Sequence, residues 1–341
     1  MPFSEVVGHA RPLGLLSRSL ARGSLPPSLL FSGPQGVGKR LVARAVAQAL
    51  NCLHPIHTSQ TTGAGLAIDA CGVCAACAKI ERNVHPDFVV LERPDSGSVK
   101  IDQVRDAIGT TAYRPFEGRC RVIVIDEADR LNPDSQNALL KSLEEPPASS
   151  VFILVSSRPE TLLSTVRSRC SRLRFGRLAA ADVARLLSER HGMDQADAHA
   201  VAAVADGSVG RALDAGSRAF RAGREAALSV LRTAAGRTSP SERLQAAAVL
   251  TGGKSPAGER EELATRVRML ASLVRDVALV AQGGSGDALA NADLCEELAG
   301  FAESFDNHRV VRAFGCADQA LAALRRNASP KIVAAWLAVQ L

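Results

Sequence analysis

The sequence predicts an α/β domain with a parallel β-sheet, followed by a long segment that is helical throughout. Two observations lead to this fold class. Up to residue 176, short apolar runs alternate with stretches whose apolar residues recur at helical spacing, and after Phe175 such runs disappear. The runs are continuously apolar, which is typical of parallel strands that are buried on both faces.

The individual elements follow from the positions of these patterns. Strands are predicted over Ser28–Ser32, Asp87–Leu91, Arg121–Ile125 and Val151–Val155. Helices are predicted over Lys39–Leu50, Ile101–Tyr113 and Pro133–Leu143, and later over Ala180–His191 and Ala196–Ala205, with a third beginning at Gly207–Gly210. Pro133 stands where a first-turn proline is tolerated, and Pro146-Pro147 ends that helix.

Glycines and prolines divide the helical part. Breaks are predicted within Ala235–Gly258, at Gly236, Pro240, Gly252, Gly253 and Pro256, and again at Gly283-Gly284-Ser285-Gly286. We therefore expect an α/β domain over residues 1–176 with an insertion at 52–85, a small helical domain over 177–218, and a helical C-terminal domain over 219–341.

Composition limits the class of protein. The chain has 341 residues, of which 46% are hydrophobic and 22% are charged, as in globular proteins. It has no run of eighteen apolar residues and no basic segment leading into an apolar core at its start, so we expect no membrane span, no signal peptide and a cytoplasmic location. A net charge of +6 permits contact with nucleic acid, but without a basic run it does not predict one.

A glycine-rich segment follows the first predicted strand and opens the first predicted helix. Its sequence, Gly33-Pro34-Gln35-Gly36-Val37-Gly38-Lys39-Arg40, has the spacing of a P-loop. In such a loop Gly33, Gly36 and Gly38 let backbone N–H groups cradle phosphates at the positive end of a helix. Lys39 would reach the outer phosphates.

Arg40 departs from the P-loop pattern. The position requires Ser or Thr, whose hydroxyl binds Mg²⁺, whereas a guanidinium has no lone pair for a metal and is always charged. The sequence therefore argues against Mg²⁺ and against hydrolysis here. It leaves open whether ATP or ADP binds, or whether the loop persists only as part of the strand–turn–helix.

A second motif has acids directly after an apolar strand. Asp126, Glu127 and Asp129 follow Arg121–Ile125, as in a Walker B segment. There Asp126 would hold Mg²⁺ through water and Glu127 would polarise the attacking water. The carboxyl ends of parallel strands are the usual ligand edge of such a sheet, although a solvated strand end gives the same pattern.

Four of the eight cysteines are bunched. Cys71, Cys74 and Cys77 form two successive Cys-x2-Cys steps, with Cys52 upstream. Four thiolates are enough for a closed tetrahedral zinc site. Iron–sulfur ligation and incidental thiols are the alternatives. The intervening polar segment Thr58–Gly65 is long, so His54 or His57 could replace Cys52 as the fourth ligand.

A third motif completes a family resemblance. Val155-Ser156-Ser157-Arg158-Pro159-Glu160 follows a strand, and Ser168-Arg169-Cys170 closes the domain. With the loop at Gly33–Arg40 and the acids at Asp126–Asp129, these residues resemble the AAA+ clamp-loader subunits of bacterial DNA polymerase III. The resemblance covers the chain to Leu213 and, more loosely, the rest.

The resemblance implies roles for individual residues. Arg169 would be an arginine finger that projects into the ATP site of the adjacent subunit, and Ser156 would lie near the sensor position. Gly207–Leu213 resembles a second-sensor segment, but Arg211 falls one position later than in active subunits. One residue is about 100° around a helix, so we expect Arg211 to miss the γ-phosphate. The family also carries a zinc module after the P-loop helix and an oligomerising collar domain at its C-terminus.

The resemblance further implies an assembly. Partners would be tau/gamma and delta subunits in a hetero-pentamer, with the sliding clamp and primed DNA reached through that assembly and no membrane involved. The sequence favours a stator-like subunit without catalysis of its own. An ATP-hydrolysing motor subunit is the alternative. A zinc-dependent nucleic-acid-binding protein would need basic and aromatic residues around its cysteines, which Gly63–Ala78 lacks.

Overall fold

The computed structural model describes residues 1–57, 66–92, 101–215, 217–236, 238–251, 256–284 and 289–341. The segment Thr58–Gly65, the Ser285-Gly286 part of the later break and the glycines at 252 and 253 lie outside these ranges. Residue contacts divide the chain into two compact units, namely residues 1–179 with 208–210, and residues 180–207 with 211–341. A separate helical domain over 177–218 stays a prediction. Within the described ranges, no helix combines the length and apolar character needed to cross a membrane.

A five-stranded parallel sheet forms the centre of the first unit. The strands of the chain are β1 (Ser28–Ser32), β2 (Ile56–His57), β3 (Ile68–Asp69), β4 (Phe88–Leu91), β5 (Arg121–Ile125), β6 (Ser150–Ser156) and β7 (Ser171–Arg174). The order in the large sheet is β4-β5-β6-β1-β7, and β2 pairs with β3 in a separate antiparallel hairpin. Because all pairings in the large sheet are parallel, the carboxyl ends of its strands meet at one edge.

Helices cover both faces of this sheet. They are α1 (Ala10–Ala21), α2 (Lys39–Asn51), α3 (Ala75–Glu81), α4 (Ile101–Thr110), α5 (Pro133–Glu144) and α6 (Ser164–Arg169). Along β5, Val122 and Val124 join the core that contains α2, whereas Ile123 and Ile125 join the core that contains α4, α5 and α6. Burying an aliphatic side chain of this size contributes about 1.5–3 kcal/mol. The predicted parallel sheet with two covered faces is confirmed, and its strand order gives an AAA+-like α/β fold.

The first residues of the chain are attached to the segment that follows α2. The Asp69 carboxylate accepts hydrogen bonds from Phe3 N at 2.8 Å and from Ser4 N at 2.9 Å. The Met1 ammonium group contacts Glu81 at the end of α3. These contacts join the amino-terminal residues to the β2–β3–α3 segment.

The second unit is helical, as predicted. After α6 the helices are α7 (Ala180–His191), α8 (Gln195–Val204), α9 (Val209–Ala215), α10 (Ser217–Ala235), α11 (Pro240–Val249), α12 (Pro256–Ala281), α13 (Cys295–Ala302), α14 (Asn307–Arg325) and α15 (Pro330–Gln340). The 26-residue α12 packs against α10, α13 and α14. Its buried side chains, among them Leu270, Leu273 and Val277, form much of the core of this unit.

Two elements differ from the sequence prediction. The edge strand β7 was not predicted because only Leu173 of its four residues is apolar. The predicted helix Ile101–Tyr113 ends at Thr110, where the hydroxyls of Thr110 and Thr111 bond carbonyls three residues back. The predicted breaks within Ala235–Gly258 are present, since α10 ends at Ala235 and the next two helices begin at Pro240 and Pro256. Proline is well accommodated there because its missing N–H has no partner in a first turn.

Candidate functional site

The phosphate-loop segment connects β1 to α2 in a conformation that requires glycine. Gly36 and Gly38 have φ angles of 74° and 100°, in the left-handed region. A Cβ atom on Gly36 would lie 2.2 Å from the Ser208 hydroxyl, and Gly210 N donates a 3.0 Å hydrogen bond to Gly36 O. Gly33, at the start of the loop, has no room for a side chain against the Phe175 carbonyl. The segment thus has the shape of a P-loop, with residues 208–210 packed against it.

Lys39 turns back onto its own loop. Its side chain is buried, and Nζ donates to Gly33 O at 2.7 Å and to Pro34 O at 2.6 Å. Burial lowers the pKa of Lys39 to about 8, although the negative charges of Asp126 and Asp129 partly oppose the shift. The ammonium group that would meet the outer phosphates is therefore bonded to the loop carbonyls.

Arg40 lies between the acids of two strand ends. Its guanidinium contacts Glu92, directly after β4, and its Nη1 lies 3.5 Å from Oδ2 of Asp126, directly after β5. Asp126 is the carboxylate predicted to hold Mg²⁺. Because a like charge so close opposes a divalent cation, Arg40 acts as the counterion of Asp126 where the motif would place a metal.

Glu127, the predicted water-polarising residue, has left-handed backbone torsions with φ of 46°. Its carboxylate lies 3.4 Å from Nε of Arg130, and its N–H donates to Asp126 Oδ1 at 2.9 Å. Asp126 and Glu127 directly follow β5 and so lie at the carboxyl edge of the sheet, where Arg40 reaches Asp126.

Ser156 and Asp129 complete this edge. Ser156 is the buried last residue of β6 and is paired in register with Ser32 of β1. Its hydroxyl accepts a hydrogen bond from Arg158 N at 3.1 Å. Asp129 accepts from Ser157 N at 3.0 Å and lies 3.3 Å from Arg158 Nε. Burial raises the pKa of Asp129, but these hydrogen bonds outweigh it, so the pKa is lower than usual.

Two functional candidates escaped the sequence prediction of site residues. Glu92 was not singled out, although it follows a predicted parallel strand and strand ends line such sites. Asp129 was grouped with the Walker B acids without a role, and it proves to join the ends of β5 and β6. In both cases the sequence showed only that the acid follows a strand. It did not show which residue the acid would contact.

Arg169, the predicted finger, is the exposed last residue of α6. Its Nε donates to Oε1 of Glu144 at 2.6 Å, and Nη2 contacts the same carboxylate. Nη1 donates to Thr165 O at 2.9 Å. The guanidinium is thus on the surface and has a defined orientation within its own chain.

Arg211, the predicted second-sensor residue, belongs to the second unit. There it lies 3.9 Å from the Asp206 carboxylate and near Arg268. Burial and the positive charges of Arg211 and Arg325 lower the pKa of Arg268, while Glu261 and Asp206 oppose the shift. The role of Arg211 toward the phosphate loop stays a prediction.

The bunched cysteines come together in the first unit. The Sγ atoms of Cys52, Cys71, Cys74 and Cys77 all lie within 4.8 Å of one another, and all four cysteines are free. The separation of Cys52 and Cys74 is 3.9 Å, close to the roughly 3.8 Å edge of a tetrahedron with 2.3 Å zinc–sulfur bonds. Cys52, whose place the sequence left open to His54 or His57, is part of the cluster.

Backbone N–H groups point at this cluster. Cys71 N donates to Cys52 Sγ at 3.2 Å and Cys74 N donates to Cys71 Sγ at 3.3 Å. Burial raises the pKa of Cys74, but backbone N–H groups of Cys77 and Leu53 and the neighbouring thiols outweigh it and lower the pKa to about 6. The donor set, its closeness and its N–H contacts fit a four-thiolate metal site, and the cluster could bind zinc.

Comparisons with known proteins identify the family of the chain. The family profile of the DNA polymerase III delta subunit matches residues 8–179, which is half of the chain. The chain belongs to this clamp-loader family. The matched residues include the phosphate loop, the cysteine cluster, the acidic strand ends and Arg169.

Individual members of the clamp-loader group are also similar to the chain. DNA polymerase III subunit tau of Salmonella typhimurium is 35% identical over 229 residues, 65% of this chain and 33% of that protein. The delta-prime subunit of Pseudomonas aeruginosa is 39% identical over 142 residues, 41% of this chain and 40% of that protein. The chain thus spans about a third of the tau protein. Among solved structures, a gamma subunit-related protein of Thermotoga maritima aligns with a TM-score of 0.37 at 14% identity, covering 92% of this chain and 99% of that one.

Proposed function

We propose that this chain is a delta-prime-type, stator-like subunit of a DNA polymerase III clamp loader. It docks beside ATP-hydrolysing subunits, supplies Arg169 to a neighbour's ATP site and runs no ATP hydrolysis of its own. Its partners are tau/gamma and delta subunits in a hetero-pentamer, and it meets the sliding clamp and primed DNA through that assembly.

The contact between Arg40 and Asp126 carries this proposal. With the guanidinium Nη1 at 3.5 Å from Oδ2, the carboxylate needed for Mg²⁺ is already neutralised, and position 40 offers no hydroxyl. Lys39 is bonded to loop carbonyls. Since phosphoryl transfer depends on metal and lysine together to offset phosphate charge, this edge lacks the means to catalyse it.

Arg169 supports the other half of the proposal. A γ-phosphate that is transferred in a neighbouring subunit develops charge that a fixed guanidinium stabilises. Arg169 is exposed at a helix end with an ordered guanidinium, which suits action on a partner. The four cysteines would bind a structural zinc ion that holds the segment after α2.

A motor subunit of the same loader is the second candidate. The similarity to tau favours it, because that match covers 65% of this chain. Arg40 argues against it, since a motor requires Mg²⁺ bound beside the triphosphate.

Hydrolysis measurements on the isolated chain and on the assembly test the proposal. The purified chain with ATP and Mg²⁺ should show no turnover. In an assembly with motor and delta subunits, clamp and primed DNA, Arg169→Ala should slow hydrolysis at the neighbouring site by about 10³-fold, seen as loss of that site's fast phase in single-turnover kinetics.

Arg167→Ala provides the matched control, because Arg167 is also exposed on α6, and it should leave the fast phase intact. Magnesium-dependent hydrolysis by the isolated chain that disappears in Lys39→Ala would favour the motor subunit instead.

A further inference from the structure

We infer that Glu144 is a positioning residue for Arg169, holding the guanidinium in the orientation in which it reaches a neighbour's phosphate. The inference rests on the proposed finger role of Arg169. Glu144 is the last residue of α5 and Arg169 is the last residue of α6, 25 positions later in the chain.

The core of the first unit fixes the distance between the two side chains. Glu144 directly follows Leu143, which is 4% exposed, and Arg169 directly precedes Cys170, which is 8% exposed. Leu143, Cys170 and Val166 belong to one apolar cluster under the sheet. The backbones of both partners are therefore attached to packed neighbours, and the Glu144 carboxylate accepts from a long, otherwise flexible arginine.

The hydrogen bonds leave part of the guanidinium available. An arginine has five N–H donors. Within the described ranges, Nε donates to Glu144 and Nη1 donates to Thr165 O, while Nη2 contacts the same Glu144 oxygen. At least one N–H on each terminal nitrogen therefore remains to donate to a phosphate oxygen.

The contact is better suited to orientation than to folding stability. Both side chains are partly exposed, at 33% for Arg169 and 46% for Glu144, and exposed ion pairs add little to stability. An unrestrained arginine would have to lose its rotamer freedom each time a neighbour reaches its transition state. Glu144 removes that freedom in advance, and small misplacement of such a group is costly to the rate.

Glu145 offers a matched control. It is the next residue, is also exposed, and forms no ion pair within the described part of the chain. Glu145→Ala and Glu144→Ala remove the same chemical group at adjacent positions. Glu144→Gln retains an oxygen acceptor without the charge, so it separates hydrogen bonding from charge and is the variant less disturbing to the fold.

The experiment measures ATP hydrolysis by the complete loader with clamp and primed DNA. Glu144→Ala should lower kcat at the neighbouring site by about tenfold with an unchanged KM for ATP, Glu144→Gln should have an intermediate effect, and Glu145→Ala none. In an Arg169→Ala background, Glu144→Ala should change nothing further, because residues that act through one another are not additive. Affinity for the neighbouring subunits should be the same in all variants.

The outcomes separate this inference from the proposed function. If Arg169→Ala leaves hydrolysis intact, the finger role and the positioning role both fail. If Arg169→Ala abolishes the fast phase but Glu144→Ala matches wild type, only the positioning role fails. A rise in kcat in Glu144→Ala, or an equal loss in the Arg169→Ala background, also contradicts it.

Discussion

The acidic sheet edge and the cysteine cluster both gather anionic groups in the first unit, but they differ in where the balancing charge comes from. At the sheet edge, Arg40 reaches Glu92 and Asp126, and the Lys39 ammonium group is bonded to its own loop. At the cluster, the sulfurs accept hydrogen bonds from backbone N–H groups and lie close to one another. The chain supplies its own cation to the first site, whereas the second fits a cation from solution. A sequence motif for metal binding therefore predicts a metal only when no charged side chain of the protein occupies the cation's position.

Removing a ligand of the cysteine cluster should have the largest effect. We expect the wild-type chain to carry one zinc ion and Cys77→Ser to lose it, because a closed tetrahedral site needs all four thiolates. Structural zinc supplies on the order of 10 kcal/mol of folding free energy in small modules, so the melting temperature should fall by many degrees. Elemental analysis and thermal denaturation measure the two quantities.

Cys120→Ser, at a buried cysteine outside the cluster, is the control and should keep the zinc. A wild-type chain whose melting temperature does not change when metal is removed would contradict the assignment.

The buried lysine predicts a pH effect of intermediate size. The pKa of Lys39 is lowered from 10.5 to about 8 by burial, so between these values the unfolded chain binds more protons than the folded one. Stability attributable to this residue should therefore rise with pH across that window, by about 3 kcal/mol at most. Denaturant unfolding at several pH values measures this contribution as the difference in unfolding free energy between wild type and Lys39→Met.

Lys141→Met, at an exposed lysine of α5, serves as the control for that titration and should follow wild type. Parallel pH profiles for wild type and Lys39→Met would show that the lysine is solvated in the folded chain, contrary to the closed loop described above.

Restoring the hydroxyl should turn the first site into one that accepts a metal. Arg40→Thr removes the counterion of Asp126 and adds the ligand that P-loops use for Mg²⁺. We expect Mg²⁺ to strengthen ATP binding by about tenfold in this variant, corresponding to about 1.4 kcal/mol, and to have no such effect in wild type. Calorimetric titration with and without Mg²⁺ measures the change. Arg44→Thr, one turn further along α2, should behave as wild type. An equal response to Mg²⁺ in wild type, Arg40→Thr and Arg44→Thr would contradict the role of Arg40 as the cation of the sheet edge.

Much of the first unit was predictable because its signals are local. The buried strands β1, β5 and β6 each contain an unbroken run of apolar residues, and the phosphate loop and the cysteines are recognisable by spacing alone. The edge strand β7 was missed because it is mostly polar. The contacts of Arg40 with Glu92 and of Arg169 with Glu144 join residues 52 and 25 positions apart. Only the tertiary fold brings such partners together, so the motifs were predictable and their counterions were not.

The bonds from Asp69 to Phe3 N and Ser4 N extend the influence of the cysteine cluster to the beginning of the polypeptide. Asp69 stands two residues before Cys71, so the backbone that carries the thiols also anchors the leading residues. We therefore expect order at the amino terminus to depend on whether the cysteine cluster holds a metal ion.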